Sequence, residues 1–498
     1  MTKQQYILAI DQGTTSSRVM IFNESGDVHA RAGAEFTQHY PTPGWVEHDA
    51  EEIWDVTRKV MDEALAAGRL QPSQIAAIGI TNQRETVVLW DRKTGAPIGR
   101  AIVWQDRRTA PLCQELREEG LEPDWQQWTG LLIDPYFSAT KVAWLLAEDE
   151  HLRARAEAGE IAFGTIDSWL VWKLTGGRKH VTDITNASRT LLYNIRDCHW
   201  EPRILQRLGI PVAMLPEVVP SSAIIAETDP AIFDGHSIPI AGIAGDQQSA
   251  LFGQACTTKG LAKNTYGTGS FVLFHTGNEA VLSQQRMLTT VAWQIGTEPV
   301  EYALEGAIFI TGAAIQWLRD GLGMIQSAAE TEDLARSVES NDGVYFVPAL
   351  TGIGAPHWNP DARGLICGLT RGTTRAHIAR AALECIAYQT ADVIDAMCKE
   401  AGIGLTELRA DGGAAVNSFL MQFQADILNV PVDVPQIHET TALGAALLAG
   451  LAVGIWPDRE TLAARWKLAQ RYEPAMTSDQ RQNLRTGWNT ALQRTLRA

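Results

Sequence analysis

The sequence predicts an α/β protein built from one unit used twice, with the two halves facing each other across a cleft. Two observations lead there. The first is a recurring hairpin. Residues 8–16, LAIDQGTTS, carry an apolar run into Asp11, turn at Gly13 and lead back through the alternating residues 18–22. Residues 264–275, NTYGTGSFVLFH, repeat that turn around Gly267, Thr268 and Gly269. Period-two alternation bounded by glycine turns reads as a β-hairpin. The second is a repeated junction of an apolar strand with Asp-Gln, at Asp11-Gln12 and again at Asp246-Gln247.

The first hairpin carries a chemical expectation. Gly13 lets the backbone come close to a ligand, and consecutive turn amides form a concavity suited to anions. Asp11 beside that concavity would repel a bare phosphate, so the pattern points to a divalent cation between them, as in a Mg-nucleotide site. Taken alone, the hairpin reads equally well as an ordinary polar turn.

Bulk properties narrow the class. The chain has 498 residues, enough for two or more cores, with 45% apolar and 20% charged residues. Its 42 basic and 58 acidic residues leave a net charge of −16. That balance argues against nucleic acid as a partner, because phosphate-backbone binding needs clustered Lys and Arg. The six cysteines form no Cys-x-x-Cys pair and the eleven histidines no metal-ligand spacing. The start of the chain lacks a signal-peptide pattern. The longest apolar run, 442–455, is interrupted by three glycines and is shorter than the roughly 20 residues of a membrane span. The expectation is a cytoplasmic protein with no membrane span.

In order along the chain, residues 28–36 continue as strand and Asp49 opens a capped helix with Ile53, Val56, Val60, Met61 and Leu65 at helical spacing. Residues 75–80 form a buried-type strand that ends in the polar cluster Thr81–Thr86, either a solvated loop or the mouth of a site. Residues 102–108 repeat the strand-into-polar pattern, and a helix starts at Ser138 after Asp134-Pro135-Tyr136-Phe137. In the second half, residues 376–400 form a long amphipathic helix stopped by Gly402, and strand 408–411 enters a glycine loop. A glycine pair between strand and helix can approach a nucleotide, and Asn417 stands in the first turn of the following helix. The Ala/Gly-rich helix 441–451 packs tightly in a core, and the tail from Ala463 reads as a surface helix.

These segments together resemble the FGGY carbohydrate kinases: DQGTTSSR at 11–18, GITNQRET at 79–86, YFSATKVAWLL at 136–146, GDQQSALFGQ at 245–254, KNTYGTGSF at 263–271, GIGAPHWNPDARGLICGLTRG at 352–372 and DGGAAVNSFLMQFQAD at 411–426. No Gly-x-x-x-x-Gly-Lys-Ser/Thr string occurs, so a P-loop is not the route to phosphoryl transfer. The resemblance implies two duplicated actin/hexokinase-like (ribonuclease H-like) domains, 1–252 and 253–498, with an interdomain cleft closing on ATP, Mg²⁺ and a small polyol, glycerol. It implies a phosphate hairpin at Thr14, Thr15, Ser16 and Arg18 and a second at Thr268. Gly312, Gln316, Gly413 and Asn417 would surround the rest of the nucleotide, and Asp11 would organise the metal. Arg84, Glu85, Trp104, Tyr136, Asp246, Gln247 and Phe271 would form the polyol pocket, with Asp246 as general base. It also implies a homo-oligomer, dimer or tetramer.

The residue types suit that chemistry. A triol needs a donor and an acceptor, which Arg84 and Glu85 supply, and apolar walls such as Trp104 and Phe271. Two alternatives stay open on sequence: a kinase for a longer polyol or ketose, and a nucleotide-dependent binding or filament protein on the same fold. In some relatives a Gly-Arg element before the Asp246 strand binds fructose 1,6-bisphosphate; here the stretch reads Asp234-Gly235-His236-Ser237. An acidic loop lacks the cation that a bisphosphate needs. Inhibition of initial rates by fructose 1,6-bisphosphate is therefore expected to be weak or absent, and strong inhibition at low concentration would contradict this.

Overall fold

Three parallel strands end side by side at one edge of the first sheet, and the fold is organised around that edge. The structure, a computed structural model, describes residues 5–359 and 361–497. The first sheet runs Ser222–Glu227, Pro239–Gly245, Ile75–Asn82, Tyr6–Gln12, Ser16–Asn23, Val28–Glu35. The last three form an antiparallel meander, while Ile75–Asn82 and Pro239–Gly245 run parallel to Tyr6–Gln12. In register, Asp11 lies beside Thr81, Gln12 beside Asn82, and Gly245 beside Asn82. Asp11, the residues just after Asn82, and Asp246 therefore leave the sheet together at the carboxyl ends of its strands, where open α/β sheets present their ligand crevices.

The second sheet repeats the pattern and adds one strand. Its order is Leu288–Trp293, Glu301–Ile308, Ser270–Gly277, Leu261–Tyr266, Glu407–Asp411, Val432–Pro435, Leu468–Tyr472. Leu261–Tyr266 pairs antiparallel with Ser270–Gly277 and parallel with Glu407–Asp411, as Tyr6–Gln12 does with its own neighbours. The duplicated hairpin is thus real. The second Asp-Gln junction is different: Asp246 follows a strand of the first sheet, two strands from Asp11, and is no counterpart of it in the second half. The two junctions look alike because each is a buried strand meeting the same crevice.

Local signals explain the elements. Asp49 caps the helix Ala50–Gly68, its carboxylate accepting from the amides of Glu51 and Glu52, while Ile53, Val60, Met61 and Leu65 are buried. The predicted long helix is Arg375–Ala401, closed by Gly402 at φ 63°. Asn417 is the cap residue ahead of helix Ser418–Leu428 rather than part of its first turn. The C-terminal helix Ser478–Arg497 is more than a surface helix. Trp488 is buried, stacks on Tyr388 with ring centroids 5.2 Å apart and donates to Asp392 at 2.7 Å.

Two helices join the lobes. Asp246–Gly253 leaves the first sheet and touches strands of the second, and Thr440–Ala452 leaves the second and packs on the first. They meet almost backbone to backbone: a Cβ on Gly444 would lie 1.8 Å from the Ser249 carbonyl oxygen, and one on Gly79 2.2 Å from that of Ala445. Asp411 ties the crossing, accepting from Gln254 at 2.8 Å and from Thr440 at 2.5 Å. None of the described helices is long and apolar enough to cross a membrane.

The first lobe also holds two uncharged histidines, His48 buried and His180 half-buried. Burial lowers His48 and His180 to about 4, and each keeps a hydrogen bond, to Gln38 and to the Phe163 carbonyl. The unfolded chain takes up these protons near pH 6.5 and the folded chain only near pH 4, so stability falls as pH drops through that window. At pH 5 each histidine withdraws up to about 2 kcal/mol. The drop in urea midpoint between pH 7 and pH 5 is expected to be smaller in His180→Gln than in the unmodified protein.

Candidate active site

The polar run after Ile80 is not a solvated loop, since Thr81, Asn82, Gln83, Arg84, Glu85 and Thr86 are all buried. Burial is tolerated because most of these groups are paired, the Thr81 hydroxyl being the exception. The amide of Gln83 donates to the Gln12 carbonyl at 2.7 Å, and Asn82 and Asn186 exchange reciprocal bonds of 3.0 Å. Glu85 adopts φ 60°, unusual for a side chain of its size, and its carbonyl accepts from Ser138 at 2.8 Å.

Arg84 is the centre of the charge arrangement. Its Nε lies 3.0 Å from Asp246 and 3.9 Å from Glu85. Its terminal nitrogens donate to Glu305 at 2.5 and 3.1 Å and to Gln248 at 3.2 Å. Arg189, fully buried, donates to Glu85 at 2.7 Å and to Glu305 at 3.0 Å. Burial opposes ionisation of Glu305, but Arg189 and Arg84 overcome it and hold the carboxyl down at about 2. Burial dominates for Glu85 and raises its carboxyl above the usual range, against the pull of both arginines. Asp246 opens helix Asp246–Gly253 with a third of its side chain exposed, and the amide of Gly245 is fixed by Thr185 at 2.9 Å.

An aromatic wall stands beside these charges. Trp104 and Tyr136, both half-buried, pack edge to face with centroids 5.5 Å apart. The Tyr136 loop is held by the ammonium of Lys141, which donates to the carbonyls of Pro135, Tyr136 and Phe137. The indole of Trp104 donates to the Thr14 hydroxyl at 3.0 Å, so the wall is bonded directly to the first hairpin. From the second lobe, Lys263 donates to Gln247, and Phe271 lies half-buried on the neighbouring strand Ser270–Gly277.

The first hairpin borders this wall through Thr14. The turn at Gly13 closes through its amide on the Ser16 carbonyl at 2.9 Å, leaving Thr15 and Arg18 exposed and Ser16 partly so. Burial raises Asp11 to about 6, with Arg18 across the hairpin opposing and Asp246 and Glu439 reinforcing the rise. Carboxylates that disfavour one another's charge suit a cation between them. The described residues contain no group of three or more His, Cys, Asp or Glu able to hold a metal. A hard cation here would take one or two carboxylates from the protein and its remaining oxygens from a polyphosphate and water, as Mg²⁺ does.

In the second lobe, the exposed Thr268 turn rests on the start of helix Gly312–Gln316, where the Gly312 amide donates to the Gly267 carbonyl at 3.0 Å. Gln316 is exposed. Gly413 opens on free space, whereas a Cβ on Gly412, at φ 87°, would lie 2.4 Å from the Tyr266 carbonyl. Asn417 is spent largely on structure, its Oδ1 accepting from the Leu420 amide at 2.9 Å and its Nδ2 donating to Thr331 at 3.4 Å. The crevice thus collects Arg84, Glu85, Trp104, Tyr136, Asp246 and Gln247 at one end. Thr268, Gly312 and Gly413 stand together on the second lobe. Sequence reasoning misses Arg189, Lys263 and Glu305. Each is a lone charge in a strand or polar run, and only a charge in an otherwise apolar strand such as Ala303-Leu304-Glu305 hints at a buried partner.

Comparison with known proteins agrees with this geometry. Residues 6–253 match the N-terminal domain of the FGGY family of carbohydrate kinases and residues 262–453 its C-terminal domain. The chain is 59% identical over 488 residues to a glycerol kinase of Geobacillus kaustophilus, covering 98% of each, and 58% identical to one of Thermus thermophilus with the same coverage. Its structure superposes on that of Plasmodium falciparum glycerol kinase with ADP at a TM-score of 0.95, with 37% identity and coverage of 99% and 98%. A xylulose kinase from Lactobacillus acidophilus, 21% identical, shares the fold at a TM-score of 0.89.

The glycine pair separates structural from functional need. Gly412→Ala is expected to lower stability by about 1–3 kcal/mol, through its left-handed backbone and the clash with Tyr266. Gly413→Ala, built into open space, should leave the unfolding midpoint unchanged. Chemical denaturation of the two variants checks this.

Proposed function

The chain belongs to the FGGY family of carbohydrate kinases, and on that premise we propose that it transfers the γ-phosphoryl group of Mg-ATP to a terminal hydroxyl of glycerol, giving sn-glycerol 3-phosphate and ADP. The observation that carries this reading is the hydrogen bond of 3.0 Å from Trp104 to Thr14. It makes one continuous site of a small polar pocket and a phosphate-type hairpin. A nucleotide-binding or filament protein has no use for that connection.

In this reading residues 1–252 and 253–498 are the lobes that close on the two substrates. Arg84 and Glu85 donate to and accept from the glycerol hydroxyls, and Trp104, Tyr136 and Phe271 enclose its carbon chain. A wrong alcohol leaves these buried polar groups unpaired, which is a strong form of discrimination. Asp246 takes the proton of the attacking hydroxyl as the new O–P bond forms and the bond to the β-phosphate oxygen breaks. Thr14, Thr15, Ser16, Arg18 and Thr268 orient the phosphates, while Gly312, Gln316, Gly413 and Asn417 line the remainder of the nucleotide. Asp11 holds the Mg²⁺ that arrives with ATP, and that ion supplies neutralisation of charge on the transferring group. Arg18 and the hairpin amides act on the same charge. Family membership alone supports the further reading that the protein works in the cytoplasm as a homo-oligomer, dimer or tetramer.

The test is ADP release with glycerol, dihydroxyacetone, erythritol, ribulose and xylulose, in the unmodified protein and in Asp246→Asn. Glycerol should be preferred. The variant should lose about 10²–10⁴-fold in turnover while still binding ATP. Equal turnover of the ketoses, or an unaffected Asp246→Asn, would refute the assignment.

A further inference from the structure

Glu305 belongs to the second lobe but pairs with two arginines of the first. It stands opposite Leu273, which in turn stands opposite Lys263, so Glu305 and Lys263 project from the same face of the second sheet. That face meets the polyol pocket, where Lys263 donates to Gln247 while Glu305 accepts from Arg84 and Arg189. Among the described residues, the other ion pairs that link the lobes, Arg31–Glu439, Lys467–Asp27 and Arg286–Glu122, all involve an exposed cation. Glu305 and its two partners are at most 2% exposed.

We propose that Glu305 is a positioning residue for polyol phosphorylation. From the opposite lobe it takes up the guanidinium N–H groups of Arg84 and Arg189 that are not already turned to Asp246 and Glu85, and so limits the hold of both arginines on the carboxylates that must meet the substrate. This rests on the kinase reading above. The argument is one of charge and donor inventory. Arg84 and Arg189 share Glu85, Asp246 and Glu305 between them, while Lys263 beside them is held by Gln247 and Thr265. Three of the five N–H groups of Arg84 are occupied by Glu305 and Gln248, and its Nε sits against Asp246. One N–H is left for a hydroxyl. If the carboxylate of Glu305 is removed, the nearest anions left to Arg84 are Asp246 at 3.0 Å and Glu85 at 3.9 Å. Arg189 already reaches Glu85 and has a buried Nη1 with no partner. Both guanidinium groups then fall onto the two carboxylates that the polyol needs. Because Glu305 sits on the second lobe, the pocket has its working geometry only when the lobes hold this arrangement. Polyol affinity is thereby tied to closure.

The experiment compares steady-state kinetics of the unmodified protein with Glu305→Gln, Glu305→Asp and the double variant Arg189→Met/Glu305→Gln, with unfolding midpoints measured in parallel. In Glu305→Gln the KM for glycerol should rise about tenfold or more while the KM for ATP stays within about twofold, because only the polyol end is disturbed. Glu305→Asp keeps the charge but cannot span both arginines, and should fall between. The double variant should recover part of the loss, since removing both partners leaves less uncompensated charge than removing one. A glycerol KM that is unchanged in either folded single variant overturns the proposal, as does an equal rise in both KM values. If Glu305→Gln does not fold, Glu305→Asp decides by the same criterion. Absence of glycerol-dependent ADP release from the unmodified protein would instead remove the functional reading beneath it.

Discussion

Everything in the site depends on the register of three parallel strands. Tyr6–Gln12, Ile75–Asn82 and Pro239–Gly245 stop at the same level, with Asp11 one residue inside the end of the first and Arg84-Glu85 and Asp246 just beyond the ends of the other two. A slip of one residue would turn a side chain to the opposite face of the sheet and dissolve the constellation. What fixes the register is the buried character of the strands. Ile7, Leu8, Ala9 and Ile10 have no exposed face to exchange, and Ile78, Gly79 and Ile80 fit beneath helix Thr440–Ala452 only because Gly79 carries no side chain. Core packing therefore places the chemistry, with no separate device needed to do so.

The crevice brings charges out of water, and this is normally unfavourable unless geometry and hydrogen bonds compensate. Here compensation is nearly complete. Glu305 bridges two guanidinium groups, Arg84 meets two further carboxylates, and Lys263 finds the Gln247 oxygen and the Thr265 hydroxyl. The exception is Nη1 of Arg189. With the lobes in this arrangement the donors and acceptors are held by their own partners, so a small polyol bound between them would exchange its hydration for groups already oriented.

Most of this architecture was readable from sequence, for physical reasons that differ from residue to residue. The hairpins at Gly13 and Gly267 announce themselves because a tight turn between alternating strands permits few residue types. Asp246 is visible because an apolar strand ends on it. The error in treating Asp11-Gln12 and Asp246-Gln247 as repeats arose from the same clue: two strands of one sheet that reach one crevice look like copies of each other. Arg189 leaves no local trace and Glu305 only the faint one of a charge in an apolar strand, and the contact from Arg84 to Glu305 spans 221 residues of chain. Only pairing across the lobes reveals them. The fate of Asn417 was hidden for a related reason. A cap and a ligand contact call for the same amide, and sequence does not say which has claimed it.

Phosphoryl transfer in water's presence raises a problem that the crossing helices address. Water is smaller than any polyol and equally able to attack phosphorus, so a kinase gains from assembling its reactive geometry only with the alcohol bound. A single rigid domain cannot make assembly conditional. Two lobes joined by helices that pack backbone to backbone at Gly444 and Ser249 can, because such contacts slide with small displacements and without repacking large side chains. The buried charges then supply the condition. The two carboxylate oxygens of Glu305 reach arginines on the far lobe at hydrogen-bonding distance, and such bonds are lost within an ångström or so of separation. On the proposed reading, polyol binding at Arg84 and Glu85 is coupled to lobe position through Glu305, and selectivity against water would follow from where one strand of the second sheet places a single carboxylate.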